Sequence, residues 1–239
     1  MSMNDENQLD ISEKGRKKDS TPISLDRRLF IQFLSFGYCR DIKTIIEKLE
    51  QANIDGALYM DMNDPYGVGL ITMNENPDFF VSDLRNILNQ NPFTELSPKP
   101  EYTMLGRTYS FGYEPDLEET LIKEPRRRIL DRQWLWGIWY PLQRTKSFEN
   151  LSEDEQRAVL GEHGKIGFRY GKAGYARDIR LACHGLDRND NDFVIGLLGR
   201  DLYPLSSVVQ AMRRTQQTSK YLNKLGPFFI GKAIWQSNI

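Results

Sequence analysis

Residues 29–50, LFIQFLSFGYCRDIKTIIEKLE, decide how the chain is read. Leu29 to Tyr38 is dense in aromatic and branched apolar side chains, which predicts a strand. Ile42, Ile45, Ile46 and Leu49 then recur at i, i+3, i+4 and i+7, the mark of a helix with one apolar face. Moving outward, ALYMDM (57–62) and YGVGLITM (66–73) predict two strands around the turn-rich Asn63-Asp64-Pro65. PDFFVSDLRNIL (77–88) predicts a helix opened by Pro77, and YTMLGRTYSFGY (102–113) a further strand. The order is β-α-β-β-α-β.

After KEPRRRILDR (123–132) the same order recurs. WLWGIWY (134–140) reads as a strand, and Ser152-Glu153-Asp154-Glu155 as a capping box opening a helix that runs to about Gly164. YARDIRLACHG (175–185) and DFVIGLLG (192–199) read as strands, PLSSVVQAMRRTQQ (204–217) as a helix and FFIGKAIW (228–235) as the last strand. The fold class expected is α+β, with two fused ferredoxin-like halves forming a dimeric α+β barrel-type domain. Its segments are a disordered polar tail over 1–24, an N-terminal half over 25–120, a basic connector over 121–133 and a C-terminal half over 134–239.

The 239 residues carry 32 Lys+Arg against 33 Asp+Glu, a formal charge of −1 that argues against a dedicated nucleic-acid binder. No apolar run reaches the ~18–20 residues that span a bilayer. The N-terminus has no signal-like apolar segment, so the expected location is cytoplasmic. Cys39 and Cys183 have no metal-binding spacing and read as buried reduced thiols. Histidine occurs only at 163 and 184, so any imidazole chemistry falls to one of these.

Val159, His163, Ile166 and Tyr170 lie at i, i+4, i+7 and i+11, which places His163 in an apolar stripe. Two readings follow: a core histidine bonded to a carbonyl, or an axial ligand to a haem iron facing an apolar cavity. Leu205, Val209, Met212 and Gln216 form a second stripe, so Gln216 either accepts the ring N–H of His163 or is solvated at the helix end. His184 reads as a turn residue.

Five tags now stand in order. They are Tyr140-Pro141-Leu142-Gln143-Arg144, Glu162-His163-Gly164-Lys165-Ile166-Gly167, Gly185-Leu186-Asp187, Met212-Arg213 and Gly226-Pro227-Phe228-Phe229-Ile230-Gly231. Over about residues 130–239 this series resembles the chlorite dismutase superfamily of haem proteins, particularly its coproheme decarboxylase branch. The resemblance implies an iron-porphyrin cofactor, haem b or coproheme, with His163 as its proximal ligand. It implies hydrogen peroxide as oxidant, a closed ring of subunits such as a homopentamer, and Tyr140 as the tyrosine whose radical starts propionate decarboxylation. Arg144 and Arg213 are the expected propionate contacts, and Gln216 falls where the family has an acid beside the proximal histidine.

One departure concerns the open side of the iron, where the family has Arg or Gln and this chain has Asp178, or Ala176 or Arg180 if an insertion near Gly171–Gly174 is placed differently. Residues 176, 178 and 180 share a strand face and Arg177 points away. Asp178 would move a proton for bound peroxide and repel anions such as chlorite, with Arg180 polarising the peroxide bond. The alternative is an i, i+2 ion pair on a solvated face. The functions expected are therefore a peroxide-dependent coproheme decarboxylase or, as the alternative, a haem carrier, sensor or weak peroxidase, in neither case a chlorite dismutase.

Overall fold

The first strands lie where none was expected. The computed structural model describes residues 9–238, and within them β1 (Glu13–Arg16) and β2 (Pro22–Leu25) form an antiparallel hairpin with Gly15 opposite Ile23. Of the expected disordered tail, residues 1–8 lie outside the described residues, and the remainder is corrected to this hairpin. Ile23 and Leu25 supply the apolar anchor, packing against the central core.

The N-terminal half runs through β3 (Phe30–Gly37), α1 (Ile42–Ala52), β4 (Gly56–Asp61) and β5 (Val68–Asn74). Asp41 caps α1 by accepting the amides of Lys43 and Thr44, and Asn53 ends it in the left-handed region at φ 48°. The helix expected over 77–88 is broken at Ser82 into α2 (Asp78–Val81) and α3 (Asp83–Leu88). A two-residue strand β6 (Ser97–Pro98) and then β7 (Met104–Arg107) close the half. The expected strand over 102–113 is thus four residues long, and Thr108 onward is loop.

The connector is helical, with a π-helical turn at Glu119–Lys123 continuing into α4 (Glu124–Ile129). Leu121, Ile122, Ile129 and Leu130 are buried in the central core, so the segment read as a basic connector contributes to that core. The C-terminal half follows as β8 (Trp136–Arg144), α5 (Lys146–Glu149), α6 (Glu153–Lys172), β9 (Arg177–Ala182), β10 (Phe193–Gly199), α7 (Leu202–Met212), α8 (Gln216–Lys220), β11 (Leu222–Leu225) and β12 (Phe229–Gln236).

Strand order is β7-β3-β5-β4 in the first half and β12-β8-β10-β9 in the second, every neighbour antiparallel. Both are the order fourth-first-third-second, that of a split βαβ fold. β4 pairs with β12, Tyr59 opposite Ala233, and β7 meets β9 at Arg107 and Ala182, so one chain closes eight strands into a barrel. Inside it, Phe33, Tyr59, Trp139 and Phe229 fill the lumen. Glycine makes the room: a Cβ on Gly196 would lie 2.4 Å from the Trp139 ring, and one on Gly69 2.6 Å from both Phe33 and Phe229. Both cysteines are free, Cys183 in this core and Cys39 only half-buried, which corrects the expectation for Cys39.

Helices cover the outside. α1, α2 and α3 close over the N-terminal strands, whereas α6 and α7 lie over the C-terminal ones. No described helix is long and apolar enough to cross a membrane.

Candidate functional site

α6 begins at the expected capping box: Glu155 N–H donates to Ser152 Oγ at 3.4 Å and Ser152 N–H to Glu155 Oε2 at 2.9 Å. It runs twenty residues, past Gly164 to Lys172, with acids in its first turn and Arg169 and Lys172 in its last, as the helix dipole favours. Among those twenty residues only Val159 is fully buried. His163, Ile166 and Tyr170 share its face but remain half-buried, so α6 stands off the sheet beneath it.

The opposing wall is set by strand register. Ile230, Ile138, Leu197 and Asp178 sit in one row across β12, β8, β10 and β9; Tyr140, Ile195 and Arg180 sit in the next. Phe193 and Leu142 form a third, and Arg144 lies beyond on the same face. Trp136, Ile195, Phe228 and Ile230 are partly exposed apolar members of this wall. A flat, largely apolar surface with charge at one side thus faces the stripe that carries His163.

His163 Nδ1 lies 3.2 Å from Thr215 Oγ1, and that hydroxyl donates its only proton to the Met212 carbonyl at 2.8 Å. With its proton on the Met212 carbonyl, Thr215 accepts from His163, an assignment that puts the ring proton on Nδ1 and leaves the Nε2 lone pair free for a metal. Burial lowers the pKa of His163 below the ordinary histidine value, and Arg144 adds to this while Asp178 opposes it. Burial thus favours the neutral form of the ring. The acceptor expected from the sequence, Gln216, is exposed. Its backbone N–H donates to Glu162 Oε2 at 3.0 Å, and its side chain lies near Lys220. The stripe of 205, 209, 212 and 216 fails because α7 ends at Met212 and Thr215 restarts the chain as the cap of α8.

Arg144 lies between two aromatic faces, 4.4 Å from the Phe148 centroid and 4.6 Å from that of Phe193. Its Nε is buried without a hydrogen-bond partner among the described residues, and burial lowers its pKa from the ordinary arginine value. Arg213, by contrast, is exposed at the end of α7. Tyr140 is 6% exposed and stacks on Phe228 with centroids 4.5 Å apart. Burial and then the Asp178 carboxylate push its pKa well above the usual phenol range.

Asp178 and Arg180 do share a face, joined at 3.1 Å, while Arg177 points away to pair with Asp131 and stack on Trp134. Arg128, from the connector run, donates to the Asp178 carbonyl at 2.6 Å and lies 3.4 Å from its carboxylate. Two guanidiniums thus compensate Asp178, which removes the basis for the expected repulsion of anions. Ala176 is buried in the apolar cluster. His184 is exposed, 3.6 Å from Asp192, at the turn where the sequence put it. Arg128 reads in the sequence only as part of a basic connector, and two participants were not read from it at all: Thr215 and Tyr109. The last is half-buried in the loop after β7, within electrostatic reach of Arg180, Arg144 and Asp178.

The model of the chlorite dismutase family matches residues 68–234. The chain belongs to the chlorite dismutase family. No curated protein sequence matches it. Among solved structures it is similar to a heme-binding protein from Thermus thermophilus, at 16% identity and TM-score 0.67, covering 87% of this chain and 92% of that one. It is also similar to a putative chlorite dismutase at 14% identity and TM-score 0.67, covering 87% and 95%. A third is the chlorite dismutase of Candidatus Nitrospira defluvii in complex with imidazole, at 14% identity and TM-score 0.65, covering 87% and 92%. At these identities the likeness is one of fold, and it spans both halves of the barrel.

Proposed function

We propose that this chlorite dismutase family member binds an iron porphyrin between α6 and the outer face of β12, β8, β10 and β9, and uses hydrogen peroxide to decarboxylate coproheme to haem b. The observation that carries the reading is the His163–Thr215 pairing, because it leaves Nε2 as a free lone pair on a neutral ring. The surroundings fit such a group. The walls are apolar and half-exposed as they stand, and the buried Arg144 Nε lacks the acceptor that a porphyrin carboxylate would supply.

When bound, the iron porphyrin supplies the means of taking two oxidising equivalents from peroxide. The chain's own residues have separate tasks. His163 holds the metal, Thr215 fixes the ring's tautomer and rotation, and Arg144, desolvated between two rings, fixes a carboxylate. Tyr140 can give up its phenolic hydrogen and then take one from the propionate, while its burial disfavours the phenolate. Per propionate, the carboxylate becomes a vinyl group and CO2 with loss of two electrons and a proton. Peroxide, taking those electrons and two protons, becomes two waters.

A second reading, a carrier or sensor without turnover, is favoured by two contacts: Asp178 is tied to both Arg128 and Arg180, so its carboxylate is not free to act as a base on the sheet side. Titration with coproheme followed by peroxide and mass analysis separates the readings. With the decarboxylase the porphyrin loses CO2 twice and does so no longer with Tyr140→Phe, which still binds it; the carrier binds the porphyrin and leaves its mass unchanged. A chain that takes up no porphyrin contradicts both.

A further inference from the structure

The loop after β7 reaches the charged side of the site from the other half of the molecule. Arg180 stacks on Phe111 at 4.8 Å, and Tyr109 packs against Phe111 at 5.2 Å and against Phe193 at 5.7 Å. The guanidinium of Arg180 therefore has two neighbours that fix it, the Asp178 carboxylate and the Phe111 ring. The first is on its own strand; the second depends on how the loop is held.

Two carboxylates hold the loop. Glu114 accepts the backbone N–H groups of Phe111, Gly112 and Tyr113 at 2.9–3.1 Å, closing the turn on itself. Glu13, from the N-terminal hairpin, accepts Arg107 Nη1 at 2.8 Å and both the backbone N–H and hydroxyl of Ser110 at 2.8 and 2.9 Å. Its side chain is only 12% exposed, so its three donors are not competing freely with water. The hairpin is seated by close backbone contact: Arg16 N–H donates to the Glu114 carbonyl at 2.9 Å, and a Cβ on Gly15 would lie 2.5 Å from that same oxygen. A segment remote from the site in sequence thus sets the position of Phe111.

We infer that Glu13 is a positioning residue for Arg180: through the loop 107–114 it holds the Phe111 ring against the guanidinium, and so sets how tightly an anion is held on the sheet side of the site. The inference rests on the reading of the slot given above. Loss of the Glu13 charge frees the Ser110 end of the loop, the ring leaves the guanidinium, and Arg180 is left with a single exposed carboxylate contact, a weak restraint.

The test has an arm without porphyrin and an arm with it. In the unloaded chain, Glu13→Gln should speed hydrogen exchange at the amides of 111–113 about tenfold and shift the Arg180 Nε–H resonance. In the haem-loaded chain, with cyanide as the probe, Glu13→Gln and Phe111→Leu should weaken binding about three- to tenfold, the range expected for losing a cation–π contact. Phe111→Tyr keeps the ring and should bind cyanide as the parent does, and haem stoichiometry should be the same in all. Phe111 is 43% exposed, so shortening it opens no cavity in the core. Unchanged exchange in Glu13→Gln, an unmoved Arg180 resonance, equal cyanide affinity in Phe111→Leu, or equal losses in the leucine and tyrosine variants would each overturn the inference. Failure of the parent chain to bind haem sinks the slot reading and the cyanide consequence together. Loss of the Arg180 effect with haem binding intact sinks the inference alone.

Discussion

The two halves share a strand order and differ in how their helices meet the sheet. Over the N-terminal half, α1 is eleven residues long and buries Ile45 and Leu49 completely, against Leu58, Val68 and Leu70. Over the C-terminal half, α6 is nearly twice as long and fully buries Val159 alone, while Ile166, Tyr170, Ile195 and Phe228 stay partly exposed. Equal topology with unequal closure means that the second helix is not placed to complete a core. A helix that forgoes apolar burial needs other support, and α6 has its capping box, its end charges and the Thr215 and Gln216 contacts at His163 and Glu162.

The contrast can be broken by truncating one side chain on each helix. Leu49→Ala should cost about 2–5 kcal/mol in chemical denaturation, because it leaves a cavity in a closed core. Ile166→Ala should cost about 1 kcal/mol or less, its site being already open, yet weaken porphyrin binding. Equal losses of stability would mean that the C-terminal face is as closed as the N-terminal one.

The next effect sharpens the contrast at α6 itself. Thr215→Val keeps shape but removes the acceptor, and should weaken haem binding about 10- to 100-fold, whereas Gln216→Ala should change it little. A reversed order would restore the role the sequence suggested for Gln216.

The smallest effect is on pH. Because the pKa of His163 is lowered in the folded chain, its contribution is fully present above the ordinary histidine value of about 6.5. As pH falls through that value the unfolded chain takes up the proton first, so stability declines until the lower folded value is passed and is then flat. His163→Gln should flatten this portion of a stability–pH curve measured without porphyrin; an unchanged curve would place the ring in solvent.

The sequence carried the N-terminal strand and α1 plainly, since the density of aromatic and branched side chains and the 42, 45, 46, 49 spacing are local signals. The place of His163 in the apolar stripe of α6 was legible for the same reason. The hairpin at 13–25 was not, because short polar strands hold through contacts to Arg107, Ser110 and Glu114, far off in the chain. Thr215 was missed because the 205, 209, 212, 216 spacing presumes one unbroken helix, and the break at Arg213–Thr215 carries neither Gly nor Pro to announce it. Arg128 read only as part of a basic connector, and the packing of Leu121, Ile122 and Ile129 brings it to Asp178.

In the proposed reading the C-terminal face is a porphyrin slot whose metal ligand is His163. That reading is tested most directly by titrating haem into the parent chain, His163→Ala and His184→Ala and following the absorption spectrum. Stoichiometric uptake is predicted for the parent and for His184→Ala, with loss of that uptake in His163→Ala, a fall of at least about tenfold in affinity. Uptake by His163→Ala with the parent's affinity and spectrum would contradict it.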